Sequence, residues 1–285
     1  MNRRFTRRPR HDCCDRAQRR RHAGPDNGAA PGSSLILVDN GSTDGRADVV
    51  ARRSRHVRVV RLPFNIGAVA RNVGVALART PDVAFSDDDS WWAPGALAKA
   101  ATVLKRHQDV AAVAAQIFVG PENRPDSVRA DMLDSPLPER PTIPGRLVVG
   151  FVACATVVRK EAFLQAGGFD TVVLFAGEEE RLALDLLANG WELVHAPQVV
   201  AHHDPKPSRD RSRRVRLIVR NSILTAVMRR PWAVTLERTA AALRSADGRA
   251  CLAAALPRAA RGLARRRPVP PRVERCLAAV KRSGG

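Results

Sequence analysis

The 285-residue chain contains no tyrosine, and aromatic residues make up only 4% of it. Single-strand nucleic-acid binders stack bases on aromatic rings, so that chemistry is poorly supplied here. No apolar run approaches the roughly 20 residues that a membrane-spanning helix needs. The longest, Leu147 to Val158, runs straight into Arg159 and Lys160. The five cysteines (Cys13, Cys14, Cys154, Cys251, Cys276) form neither a metal-ligand spacing nor a disulfide framework, as in a reducing compartment. The arginines after Met1 lead into polar residues, without the apolar segment of a secretory signal. These absences give the expectation of a cytoplasmic protein. Peripheral contact at the inner membrane face is the one membrane association left open.

What the chain has in excess is positive charge, a formal +20. Its distribution matters more than its sum. Residues 1–34 carry nine arginines and three aspartates, whereas residues 205–285 carry 21 Lys/Arg and four Asp/Glu. The stretch 35–204 between them is slightly acidic, with 18 basic and 21 acidic residues. A mildly acidic core between two basic ends is not a nucleic-acid groove, so nucleic acid is an unlikely partner. The apolar share of 45% is enough for one sizeable core plus extensions.

Order begins at residue 35 on this reading. Leu35 to Val38 is a short, fully apolar run, as expected of a buried parallel strand. It ends in a polar loop, Asp39 to Gly45, that leads into a helix over 47–53. Val57–Leu62 reads as the next strand, Gly67–Ala78 as the next helix, and Val83–Phe85 as a third strand ending in Asp87-Asp88-Asp89. Pro94 suits a helix first turn, with apolar Leu97, Ala101 and Leu104 along one face to Lys105. A proline-rich loop (121–144) follows, and then Leu147–Val158, read as one buried strand. A helix is expected over 161–166 and another from Glu178 to Gly190, whose glycine suits a helix end. Trp191–Val194 and Val199–Ala201 read as closing strands. Strands alternating with helices at this spacing predict an α/β fold with a mostly parallel sheet. Ligands of such sheets gather at the carboxyl ends of the strands, where the loops at Asp39 and Asp87 fall.

Each polar cluster has a sharp and a plain reading. Asp87-Asp88-Asp89 can hold a hard divalent cation with the help of substrate phosphates, or cap the helix that follows. Glu178-Glu179-Glu180 can supply a general base, or be ordinary acids of a first helical turn. His202 and His203 are metal ligands or part of a surface turn. Arg71, on its helix beside Asn72, reaches a phosphate or is solvated, and Cys154 reads as plain core. Between Arg211 and Arg230, Val215, Ile218, Val219, Ile223 and Val227 keep near-helical spacing among arginines. That pattern fits a helix lying on an anionic membrane surface or one packed on the catalytic domain.

Taken in order, these segments resemble the family 2 glycosyltransferases of the GT-A fold. The runs ILVDNGSTDG (36–45), NIGAVARNVGVALA (65–78), VAFSDDDSWWAPGAL (83–97), VVRKEAFLQAGGFD (157–170) and GEEERLALDLLANGWELVHAPQVVAHH (177–203) carry the resemblance. Five motifs in the right order are far more specific than any one of them. The resemblance implies a nucleotide-diphosphate sugar donor, a glycan or lipid-linked acceptor, and Mg²⁺ or Mn²⁺. It places Asp39 at the nucleotide base and Arg71 on the nucleotide side of the donor. Asp87 and Asp89 become the DxD pair, with His202 as a further metal or phosphate contact. Glu179 becomes the catalytic base, with Glu178 beside it. The implied reaction inverts the anomeric centre. In two respects the chain departs from the family pattern. Glu179 stands where the family usually has Asp, and residues 1–34 offer no counterpart to the family's first hydrophobic strand. They read as a disordered or aberrant start, and the alternative to an active enzyme is an impaired relative acting as a binding module. The division expected is 1–34, a catalytic 35–204, and a basic helical 205–285.

Overall fold

The computed structural model describes residues 34–54, 56–205 and 211–283. The expectation for residues 1–34 lies almost wholly outside them. The first half alternates strand and helix: β1 (Leu35–Asp39), α1 (Arg46–Arg53), β2 (Val57–Arg61), a 3-10 turn (Gly67–Val69) running into α2 (Ala70–Leu77), and β3 (Asp82–Ala84). Then come β4 (Ser90–Trp92), α3 (Ala96–Arg106), β5 (Val110–Val119), β6 (Arg124–Pro125), α4 (Arg129–Leu133) and β7 (Arg146–Val148). This α/β part closes with β8 (Thr156–Arg159), α5 (Lys160–Gln165), α6 (Glu178–Ala188) and β9 (Glu192–His203). Four helices follow: α7 (Arg211–Arg229), α8 (Trp232–Leu243), α9 (Ala246–Ala264) and α10 (Pro271–Ser283).

The strands form an α/β architecture in two sheets. β1 and β2 pair in parallel as a two-stranded sheet, Leu35 opposite Val57 through Asp39 opposite Arg61. The larger sheet runs β3-β8-β5-β9-β4, with β6 on β5 and β7 on β9. Its longest ladder, β5 with β9, is parallel, and the shorter flanking ladders are antiparallel. β5 lies at the centre, and its sequence VAAVAAQIF is small and apolar because both faces are covered. On one side lies a cluster around Phe85, Phe163, Phe169, Leu182 and Leu186, and on the other one around Trp92, Leu104, Ile117 and Val199.

The expected single strand over 147–158 is broken. β7 ends at Val148, a 3-10 turn occupies Ala153–Ala155, and β8 begins at Thr156. The chain leaves the ladder at Gly150, and the Ala153 amide donates to a Glu179 carboxylate oxygen at 3.4 Å instead of to a neighbouring strand. By contrast, the two expected closing strands are one. β9 runs continuously past Pro197 because its partner β5 shifts register between Ala115 and Gln116. Pro94 precedes the helix instead of opening it: α3 starts at Ala96 behind Gly95, which sits at φ 75°.

The C-terminal helices are anchored to the α/β part by ion pairs on buried or half-buried acids. Arg181 of α6 lies 3.4 Å from Asp170 and 3.1 Å from Asp185, Arg229 of α7 pairs with Asp185, and Arg265 reaches Asp170 at 2.9 Å. Asn221, fully buried on α7, donates to the carbonyls of Phe175 and Ala176 at 2.6 and 2.8 Å. Leu224 and Met228 pack on Val172 and Val173. α7 is therefore chiefly a packed helix: Ile223 is buried, and only Val215 and Ile218 of its predicted apolar set are well exposed. No helix among the described residues is long and apolar enough to cross a membrane.

Candidate active site

Arg71 is the hinge of the site. α2 delivers it between two acidic segments, where its guanidinium lies 2.5 Å from Asp87 and 3.6 Å from Glu178. It also lies 5.7 Å from the centre of the Phe169 ring. That ring is fixed from the same helix, since Asn72 accepts from the Phe169 amide and donates to its carbonyl, both at 2.9 Å. The turn demands glycine at 168: φ is 61°, and an added Cβ would sit 2.6 Å from the Asn72 Oδ1. Burial works against the charge on Arg71, yet Asp87, Glu178 and Glu179 outweigh it and hold the guanidinium above its usual pKa.

The three aspartates form a tight turn between β3 and β4, not a helix cap. The Ser90 amide donates to the Asp87 carbonyl at 3.2 Å, and the Asp87 amide donates to Ser90 Oγ at 2.8 Å. α3 begins only at Ala96. The three side chains diverge. Asp87 turns to Arg71, Asp88 to Arg46 at 3.1 Å, and Asp89 to His203 Nε2 at 3.4 Å. The hydrogen bond to Asp89 raises the His203 pKa against the opposing effect of burial.

Both histidines lie on β9 rather than in a surface turn, and alternation sends them to opposite faces. His203 meets Asp89. His202 stacks on Trp91, rings 5.1 Å apart and 8° from parallel, and bonds Asn123 at 3.0 Å. The histidine beside Asp89 is thus His203, the neighbour of the one the resemblance implied. Strand alternation was the signal available for choosing between them.

α6 starts behind Gly177, at φ 84°, and its first turn carries all three glutamates. Glu178 is 3% exposed, and its Oε2 has no hydrogen-bond partner among the described residues. Burial, then the neighbouring charge of Glu179, push its carboxyl up to about 7. Glu179 is half-buried and accepts from the Ala153 amide. Glu180 turns away to Arg238 of α8, at 2.7 Å. Cys154 lies among the acids. Burial first, then Asp87, Asp89 and Glu179, push its thiol up to about 12, so it is an inert wall of the site.

Asp39 ends β1 at the front, where one oxygen accepts from the Ser42 amide at 3.0 Å. Hydrogen bonds from Ser42 hold its carboxyl below the usual value. Asn40 ties this loop to the start of α2, accepting from the Ile66 amide at 2.8 Å and donating to the Gly67 carbonyl at 3.0 Å. Through these bonds and Arg46–Asp88, the Asp39 loop is joined to the aspartate turn.

Among the described residues no group of three or more His, Cys, Asp and Glu side chains stands ready to hold a metal ion. The donor set does fit a hard cation completed by a ligand's phosphates. Asp87 and Asp89 offer carboxylate oxygens and His203 an imidazole nitrogen within one turn and one strand end.

Comparisons with known proteins show what the chain is similar to. Residues 30–166 match the sequence model described as Glycosyl transferase family 2. A pre-mycofactocin glycosyltransferase of Mycobacterium tuberculosis is 32% identical over 181 residues, covering 61% of this chain and 38% of that protein. An N-acetylglucosaminyl-diphospho-decaprenol L-rhamnosyltransferase of the same organism is 26% identical over 203 residues, covering 60% of this chain and 66% of that protein. The chain thus spans 38% and 66% of the lengths of these two relatives. Among solved structures, the mannosyltransferase PcManGT from Pyrobaculum calidifontis, in complex with GDP-Man and Mn²⁺, superposes with a TM-score of 0.51 at 21% identity. That match covers 81% of this chain and 65% of the other. Residues 30–166 are thus similar to glycosyltransferase family 2, and the chain has the GT-A-type fold of the mannosyltransferase structure.

Proposed function

We propose that the protein transfers a sugar from a nucleotide-diphosphate donor to an acceptor hydroxyl with inversion. In this reading 35–204 is the catalytic domain and 205–285 its basic extension. The observation that carries it is Arg71, clamped between Asp87 on the aspartate turn and Glu178 on the first turn of α6. One half-buried cation thereby sets the donor-side acids and the acceptor-side acids at a fixed separation.

Asp39 takes the nucleotide base, and Arg71 and the aspartate turn take the diphosphate. Asp87, Asp89 and His203 would hold Mg²⁺ or Mn²⁺. The cation, when bound, neutralises charge on the departing diphosphate. Glu179 is the base. Of the two neighbouring glutamates it is the one that solvent reaches, whereas Glu178 is buried against Arg71. Its carboxylate takes the acceptor hydroxyl proton as that oxygen forms a bond to the anomeric carbon and the bond to the diphosphate breaks. One relative is named for a lipid-linked acceptor, and a glycan or lipid-linked acceptor is the class proposed here.

The test is release of nucleoside diphosphate from a panel of nucleotide sugars, with Mn²⁺ or Mg²⁺ and with chelator. Arg71→Ala should abolish metal-dependent donor binding and turnover together, because both acid segments lose their common partner. A protein that binds no nucleotide sugar under any of these conditions would exclude the transferase reading.

A further inference from the structure

Helices α8 and α9 carry five of the twelve exposed large apolar side chains among the described residues. Trp232, Leu236 and Leu243 of α8 are 52%, 67% and 52% exposed, and Leu256 and Leu263 of α9 are 71% and 48% exposed. On α8 the three fall within about 40° of one another around the helix axis, so they form a single stripe. Leu256 and Leu263, seven residues apart, form a second stripe by the same rule. The two helices make an antiparallel hairpin. Gly248 at the start of α9 packs against the Ala242 backbone at the end of α8, and the Arg266 guanidinium beyond α9 lies 3.8 Å from the Trp232 ring. Arg266 follows Leu263 by three residues, so the Trp232 end of one stripe and the Leu263 end of the other lie at the same end of the hairpin.

Cations surround these stripes. Residues 211–283 hold 19 Lys/Arg and three Asp/Glu, and Arg244, Arg249, Arg261 and Arg267 are exposed on or next to the hairpin. We infer that the outer face of the α8–α9 hairpin docks on an anionic lipid bilayer, with Trp232 and the leucines entering the interface and the arginines meeting headgroup charge. The chemistry selects this partner over the others. A second copy of the chain would bring like charge against like charge. A nucleic acid would satisfy the arginines but leave the leucines in water. Only a surface that is both anionic and apolar at a shallow depth satisfies both kinds of side chain.

The docking also fixes where the active site sits. On α8, Arg238 projects from the side opposite the stripe and holds Glu180, the neighbour of Glu179, at 2.7 Å. About one helix diameter, roughly 10 Å, then separates the first turn of α6 from the bilayer. This placement would bring Glu179 to the level of a lipid-linked acceptor. The placement rests on the transferase reading above, whereas the docking does not.

The test uses the whole chain and sedimentation with vesicles of phosphatidylcholine alone or mixed with phosphatidylglycerol. Partitioning onto the mixed vesicles should exceed that onto neutral ones by about tenfold or more and should weaken with salt. Changing Arg244 and Arg249 to Glu should cost about fivefold for each positive charge removed. The pair Leu236→Glu and Leu256→Glu should bring partitioning down to the neutral-vesicle level. Circular dichroism should be unchanged, because these positions are exposed. Equal binding to both kinds of vesicle, binding to neither, or a leucine-pair variant that binds as wild type would each overturn the inference. None of these readings involves sugar transfer, so failure here and failure of the transferase reading are separable.

Discussion

β1 and β5 are both apolar strands, and they are housed very differently. In β5 every residue from Val110 to Ile117 is buried. In β1, LILVD, none is, and Leu35 is 41% exposed. The larger sheet has helices or loops on both faces, whereas β1 and β2 lean on α1 and α2 as a sheet of their own. The difference divides the site by stiffness. Arg71, the aspartate turn and Glu178/Glu179 hang on the buried sheet and its helices. Asp39, the residue assigned to the nucleotide, hangs on the thinly covered strand. Local opening free energy follows buried apolar area, so the acids around Arg71 are held rigidly and the Asp39 loop is the part able to adapt.

The sharpest way to test this division is at the rigid end. Glu179→Gln keeps size and hydrogen bonding but cannot accept a proton. Turnover should fall by roughly 100- to 10,000-fold while donor affinity stays near wild type. A variant that turns over normally would move the base elsewhere, with Glu178 the next candidate. The aspartate turn comes second. Asp89→Asn should weaken nucleoside-diphosphate binding by about tenfold in Mn²⁺, as expected for a lost ligand of a hard cation, and change little in chelator. Calorimetry in both buffers reads it, and equal binding by the two proteins in both would remove Asp89 from the metal site.

Stability tests the comparison without any ligand. Leu193→Ala, at a position 1% exposed in the larger sheet, should cost about 2–5 kcal/mol. Leu35→Ala on the half-exposed strand should stay within about 0.5 kcal/mol. Urea unfolding gives both values. Similar losses would mean that β1 is as deeply embedded as β5, and the proposed difference in stiffness would fail.

Much of this was legible in the sequence. The strands at 35–38 and 57–62, the helix through Arg71 and the acidic loops stand where composition and turn residues put them. β5 went unread because VAAVAAQIFV, four of its ten residues alanine, shows no alternation of apolar and polar residues that would mark a strand. Only its buried position makes it a strand. The break between β7 and β8 was hidden for a related reason. An unbroken apolar run does not reveal where backbone amides leave the ladder for a side chain such as Glu179. The choice between His202 and His203 depended on strand register, and the ion pairs that bolt the C-terminal helices to α6 and the turn before it join residues far apart in sequence, such as Asp170 and Arg265. Pair partners at that separation have no local signature.

The last expected effect concerns Glu178, where rigidity has an electrostatic cost. Its carboxyl is pushed up to about 7 from an ordinary 4.5, mainly by burial and then by Glu179. Between those two values the native protein retains a proton that the unfolded chain has released. Stability from this group is therefore fully present below about pH 4.5 and is lost as pH rises through about 7. The gap corresponds to at most about 3 kcal/mol, and the Arg71 guanidinium 3.6 Å away tempers it by favouring the charged form. Glu178→Gln reproduces the protonated shape at every pH. The variant should match wild type near pH 4.5 and be more heat-stable by a few degrees at pH 8. The difference between the two melting profiles isolates this group from every other titration in the molecule. Parallel profiles from pH 4.5 to 8 would show that Glu178 is already charged at neutral pH. Arg71 would then be neutralised by two full carboxylates, and Glu178 would compete with Glu179 as the stronger ion partner at the centre of the site.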